Sequence, residues 1–152
     1  MSRTRLLATT ALVCVLHASH TYAAGSCTIS ATSVNFGSYN VFNASATDST
    51  GTLTINCNGG AHNIVVTLSK GASATFNPRK MTKGAETLDY NLFRDAGRSN
   101  IWGDGTSGTS TYTDANPPNN TDVVLTVYGR VVAGQDVTAG AYSDTVSAVI
   151  NF

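Results

Sequence analysis

The sequence predicts an all-β fold, and two observations carry that prediction. Apolar residues recur at every second position in short runs rich in Val, Ile, Thr, Leu and Tyr, while the 3.6-residue period of an amphipathic helix is almost absent. Clusters of Gly, Asn, Asp, Ser and Pro separate these runs, as turns between strands require.

The chain opens with an export pattern. Arg3 and Arg5 precede an apolar run from Leu6 to Leu16, and the small residues Thr21, Ala23 and Ala24 follow. Residues 1–23 therefore read as a secretory signal peptide cleaved after Ala23, and residues 24–152 as one domain. A membrane span needs about 20 predominantly apolar residues, and His17, Ser19, His20 and Thr21 interrupt this run. No membrane insertion is expected after cleavage. The remaining 152 − 23 = 129 residues suit one domain with one core. Losing Arg3 and Arg5 leaves 7 Lys/Arg against 9 Asp/Glu, a net charge of −2, so nothing electrostatic favours nucleic acid or anionic lipid. Cys14 lies in the signal, and the remaining pair, Cys27 and Cys57, predicts one structural disulfide in an oxidising compartment. Two cysteines are too few for a structural zinc site.

The first strand is expected from Cys27 to Gly37. Ile29 and Ala31 share one parity there and Val34 and Phe36 the other, so a kink or bulge must lie between them. The second runs from Thr52 to Cys57, with Leu53, Ile55 and Cys57 on one face. Asn58, Gly59 and Gly60 make a turn into the third, Asn63 to Ser69, where Ile64, Val66 and Leu68 align. Pro78 marks a short edge strand near Arg79 to Thr82. The next strand covers Leu88 to Arg94, and Gly103 to Asn120 reads as an extended polar loop. Two long strands end the chain: Asp122 to Val132, with Val123, Leu125, Val127 and Val131 on one face, and Tyr142 to Phe152. Six principal strands result.

The last strand carries the functional signal. Val146, Ala148, Ile150 and Phe152 keep an apolar face to the final residue, where chain ends are usually polar and frayed. Without a later strand to pair with, its backbone groups form an open sheet edge. Covering those side chains would contribute roughly 5 to 10 kcal/mol, comparable with the stability of a small domain. One solution is a partner that supplies the missing strand, as in donor-strand complementation. The other is that the first strand, or the segment from Gly71 to Glu86, folds back over it.

Several segments, taken in order, match a known pattern: Cys27-Thr28-Ile29-Ser30, Val34-Asn35-Phe36-Gly37-Ser38-Tyr39, Leu53-Thr54-Ile55-Asn56-Cys57 and Asp89-Tyr90-Asn91-Leu92-Phe93-Arg94-Asp95, then Trp102-Gly103-Asp104-Gly105, Val127-Tyr128-Gly129-Arg130, and Gly140-Ala141-Tyr142-Ser143-Asp144-Thr145-Val146 leading to Val149-Ile150-Asn151-Phe152. With these the chain resembles the spore coat protein U domain family, which includes subunits of archaic, Csu-type chaperone-usher pili. The resemblance implies an immunoglobulin-like β-sandwich lacking its seventh strand, which is supplied in trans. It also implies a periplasmic pilus chaperone, an outer-membrane usher and neighbouring pilin-like subunits as partners, and a place in a cell-surface fibre (fimbria), a spore or biofilm coat, or the secreted fraction. The expected strand-acceptor groove has Val146, Ala148, Ile150 and Phe152 on one wall and Ile29 on the other. In polymerising members the donated strand is an N-terminal extension, whereas cleavage here would leave only Ala24, Gly25 and Ser26 before Cys27. That predicts a tip or terminating subunit; cleavage nearer the N-terminus would instead leave residues 12–23 as a donor.

Catalysis finds little support. His62 is the single histidine after the signal, the acidic residues are scattered, and no nucleophile, phosphate-loop or zinc-protease motif occurs. No catalytic residue, metal or cofactor is predicted. Trp102, just before the Gly103 to Asn120 loop, and Tyr112 within it mark a candidate surface-binding loop, the alternative function being an adhesin that contacts a surface or carbohydrate; packing at a sheet edge is the other reading of Trp102. Asp95 with Arg98, and Asp144 with Arg130, are candidate surface ion pairs.

Overall fold

The computed structural model describes residues 25–152, and the expected signal peptide lies outside the described residues. Eight strands follow in order: β1 (Ser26–Thr32), β2 (Thr47–Asn58), β3 (Ile64–Leu68), β4 (Arg79–Lys83), β5 (Glu86–Phe93), β6 (Tyr112–Asp114), β7 (Asp122–Val131) and β8 (Ala148–Asn151). They form an antiparallel five-stranded sheet ordered β1-β2-β7-β5-β4 and a three-stranded sheet ordered β6-β3-β8. The architecture is an immunoglobulin-like sandwich. Period-2 alternation explains which faces meet: Leu53, Ile55 and Cys57 on β2, Leu88, Tyr90 and Leu92 on β5, and Val127 and Val131 on β7 are buried against Ile64, Val66 and Leu68 of β3.

The disulfide forms between Cys27 and Cys57, which face each other in the β1–β2 register. It ties the first strand to the sheet at the end where β1 begins. The β4–β5 hairpin turns at Gly84, whose φ of 57° a side chain would oppose.

Several elements depart from the expected boundaries. β1 leaves its ladder at Thr32, and β8 is paired only from Ala148, so neither outer strand runs its full expected length. β2 begins at Thr47 because Thr47 to Thr50 pair with Tyr128 to Val131 despite carrying no apolar row. The stretch read as an extended loop contains β6 and is pinned down: Leu68 N–H donates to Gly103 O at 3.1 Å and Gly103 N–H to Ser110 O at 2.9 Å.

A buried cation braces this region. Arg79 is fully buried, and its guanidinium donates from Nε and Nη2 to Ser69 O at 3.0 and 2.8 Å, from Nη1 to Asn91 Oδ1 at 2.7 Å and from Nη2 to Trp102 O at 2.7 Å. Burial lowers its pKa, with the nearby Tyr90 and Asp144 opposing that shift. Three separate segments thus share one side chain. The expected ion pairs are replaced by others: Arg98 and Arg130 both contact Asp48, at 3.2 and 2.8 Å, because β2–β7 pairing sets Asp48 opposite Arg130. Asp95 instead accepts the Ser99 hydroxyl at 2.8 Å and the Asn100 amide at 2.7 Å.

Candidate functional site

The site is a groove of about 1180 Å³ between two stretches of chain that lie outside the eight strands, one after β1 and one before β8. Its first wall is the continuation of β1. Beyond Thr32 the chain leaves the sheet edge and crosses the inner face of β2 and β7, where two core-facing glycines make room. A Cβ on Gly51 would lie 2.9 Å from Val34 Cγ2, and one on Gly129 would lie 2.6 Å from Val34 Cγ1 and 2.7 Å from Phe36 Cζ. Phe36 then meets Tyr90 edge-on, ring centroids 6.0 Å apart. Gly37, at φ 66°, redirects the chain so that Tyr39 faces inward too.

The second wall is the approach to β8. Ser143 exchanges two backbone hydrogen bonds with Thr82 of β4, and Ser147 O accepts the Ser69 amide at 2.9 Å while its own amide donates to Ser69 Oγ at 2.9 Å. The odd-numbered residues therefore direct their backbone groups away from the groove. By the alternation of an extended strand, the N–H and C=O groups of Tyr142, Asp144 and Val146 face into it, and no partner for them occurs among the described residues. The floor between the walls is apolar, formed by Leu53, Leu68, Leu88, Leu92, Val127 and Val131.

One polar group sits among the inward side chains of this wall. The Asp144 carboxylate accepts the Tyr90 hydroxyl at 2.7 Å and the Ala72 amide at 2.9 Å, and Gly71 passes so close that a Cβ there would overlap it. Burial and this carboxylate together push the Tyr90 phenol well above its ordinary range, keeping it a neutral donor. Asp144 thus anchors the wall to β5 and to the loop after β3.

Residues 9–149 match the Spore Coat Protein U domain. The chain belongs to that family. Protein U of Myxococcus xanthus is 36% identical over 133 residues, covering 78% of this chain and 71% of that protein. Among solved structures, one chain of the CsuC-CsuE chaperone-tip adhesion subunit pre-assembly complex from the archaic chaperone-usher Csu pili of Acinetobacter baumannii superposes with a TM-score of 0.59 at 25% identity. The match covers 84% of this chain but spans only 40% of that one. The Spore Coat Protein U family is one of structural coat and pilin proteins rather than enzymes.

In this Spore Coat Protein U domain the residues expected at a groove separate into two groups. Val146 and Ala148 line it. Ile29 and Ile150 pack half-buried against the core instead, and Phe152 lies past the paired end of β8, 55% exposed. The reason is that β1 and β8 approach each other at that end, so the opening starts only beyond Thr32 and Ala148. Val34, Phe36, Tyr39 and Tyr142 complete the walls. The signal for the first two was available: their parity switch relative to Ile29, and the glycines that interrupt the apolar rows of β2 and β7.

Trp102 is not a surface contact. It is 1% exposed, its indole N–H donates to Val66 O at 3.0 Å, and its amide donates to Leu92 O at 2.9 Å. Both sheets hold it in the interior. Tyr112 is half-buried on β6, with the Arg94 guanidinium 5.7 Å from its ring centroid. No cluster of three His, Cys, Asp or Glu side chains suited to a metal occurs among the described residues.

Proposed function

We propose that this domain is an exported structural subunit of a chaperone-usher surface fibre or coat, placed at its tip or terminus, and that it works by accepting a strand from another chain. The observation that supports this most is the groove: an apolar floor between two walls, one of which turns the unpaired backbone groups of Tyr142, Asp144 and Val146 toward it. A β-strand supplies what such a site lacks, since its amides and carbonyls satisfy the walls and its alternate side chains cover the floor. Burying three or four such side chains contributes roughly 5 to 10 kcal/mol, enough to hold an otherwise marginal domain. A periplasmic chaperone would fill the groove first, and an outer-membrane usher would exchange that strand for one from a neighbouring subunit. The tip position draws on the likeness to the tip adhesion subunit complex.

The test is co-expression of the full chain in a bacterial periplasm with a Csu-type chaperone, followed by native mass measurement. A one-to-one complex is expected, and V146R, which puts a charge on the groove wall, should abolish it. A chain that accumulates alone as a stable monomer and forms no complex would overturn the reading.

A further inference from the structure

One end of the groove carries a built device. Tyr39 reaches from the first wall to the chain leaving β7, where its hydroxyl donates to Val132 O at 3.1 Å and accepts the Gln135 amide at 2.8 Å. The segment from Gly134 to Ala141 then crosses the end of the sandwich as a strap. Hydrogen bonds to the β4–β5 hairpin hold that strap in place. Gln135 Oε1 accepts the Asp89 amide at 2.6 Å and Gln135 Nε2 donates to Asp89 O at 2.8 Å. Lys83 donates to Ala139 O at 2.8 Å, and the Thr138 hydroxyl donates to Glu86 at 2.6 Å. A connecting loop with no strand of its own is ordinarily mobile; this one is held through four side chains, and Tyr39 joins it to the opposite wall.

At the other end β1 and β8 approach each other, and the lining of the second wall ends at Ala148. Past the strap, the second wall runs from Tyr142 to Ala148, seven residues. At about 3.3 Å per residue that is roughly 23 Å, and a strand alongside it covers about seven residues with three or four side chains turned inward. The unpaired amides and carbonyls on the wall call for a peptide backbone, and the leucine and valine floor calls for apolar side chains at alternate positions.

The geometry points to Tyr39 as an end-stop that fixes the length and register of the inserted segment. The occupant is an extended peptide from another chain, about seven residues long within the groove, with three or four apolar side chains on one face. This rests on the strand-acceptor reading and adds a limit to it: residues of the occupant beyond Tyr39 gain no burial.

Peptides alternating threonine and valine over five, seven, nine and eleven residues, flanked by lysines for solubility, test the limit by titration against the oxidised full chain. Affinity should rise about tenfold with each added inward valine up to seven residues, then change by less than about twofold. Y39F, which loses both hydrogen bonds but keeps the ring, should let the nine-residue peptide bind about tenfold tighter than the seven-residue one, since each valine that gains cover adds about that much. Y39A should do the same more strongly. A wild-type affinity still climbing at nine and eleven residues overturns the end-stop, as does a plateau unmoved in Y39F. If no peptide of any length binds, the strand-acceptor reading itself fails, and the two failures are distinct. The wild-type series decides the question even if Y39A does not fold.

Discussion

Replacing Gly129 by alanine puts a methyl group where the first groove wall already sits. The added Cβ would lie 2.6 Å from Val34 Cγ1 and 2.7 Å from Phe36 Cζ, inside the closest separation carbon atoms tolerate, so the wall must shift outward. Overpacking of this kind costs about 1 to 3 kcal/mol. V34A removes the nearer of the two obstructing groups and by itself costs about 1 to 2 kcal/mol for the lost methyls and the space left behind. Because the new methyl of G129A occupies part of that space, the double variant should be destabilised by less than the sum of the singles, by at least about 0.5 kcal/mol. Urea unfolding followed by circular dichroism at constant m-value supplies the three differences. Additive costs, or a G129A variant as stable as the wild type, would show that Val34 and Phe36 do not pack on β7 and that the chain beyond Thr32 lies elsewhere.

R79M should destabilise the fold by about 3 to 5 kcal/mol, because it leaves buried acceptors on Ser69, Asn91 and Trp102 without a donor, while R79K should recover part of the loss; denaturant midpoints check both. Breaking the Cys27–Cys57 bond, with its 30-residue separation, should cost about 3.5 kcal/mol, read as the difference between oxidised and reduced unfolding. The Thr138 hydroxyl, then that of Tyr142, lowers the Glu86 pKa to about 2 from an ordinary 4.5. A depressed carboxylate stabilises the fold above its unfolded value, and that contribution fades as pH falls from 4.5 toward 2. The strap should therefore loosen across that acid window, seen as faster amide exchange at its residues, and E86Q should remove the pH dependence. A Glu86 carboxyl that titrates by NMR near 4.5 would contradict the contact.

Much of the core was legible from alternation alone. The rows Leu53-Ile55-Cys57, Ile64-Val66-Leu68 and Leu88-Tyr90-Leu92 all face inward as their parity requires. The parity switch between Ala31 and Val34 correctly marked a break in the first strand, but nothing local says that the chain crosses inside the sandwich. That depends on Gly51 and Gly129, which lie far apart in sequence and leave the space only when β2 and β7 pair. The last strand misled in a similar way: its apolar face continues to Phe152, yet the groove lining on this side ends at Ala148 and takes in Tyr142 to Val146 ahead of β8. Trp102 adjoins the stretch that reads as an extended polar loop, and its burial depends on Val66 O and Leu92 O waiting in two different strands. Arg79 shows the same limit. A cation beside a proline reads as an exposed edge, and only the convergence of three separate segments gives it enough acceptors to be buried.

Amide hydrogen exchange on the isolated, oxidised chain, with and without a saturating seven-residue alternating peptide, addresses the missing strand most directly. Without peptide, the amides of Tyr142, Asp144 and Val146 should exchange freely while those of Ser143 and Ser147, bonded to Thr82 and Ser69, are protected. Adding peptide should slow the first group by about a hundredfold or more, as a closed ladder does. Slow exchange at all five positions in the peptide-free monomer would mean that the sandwich already closes on itself.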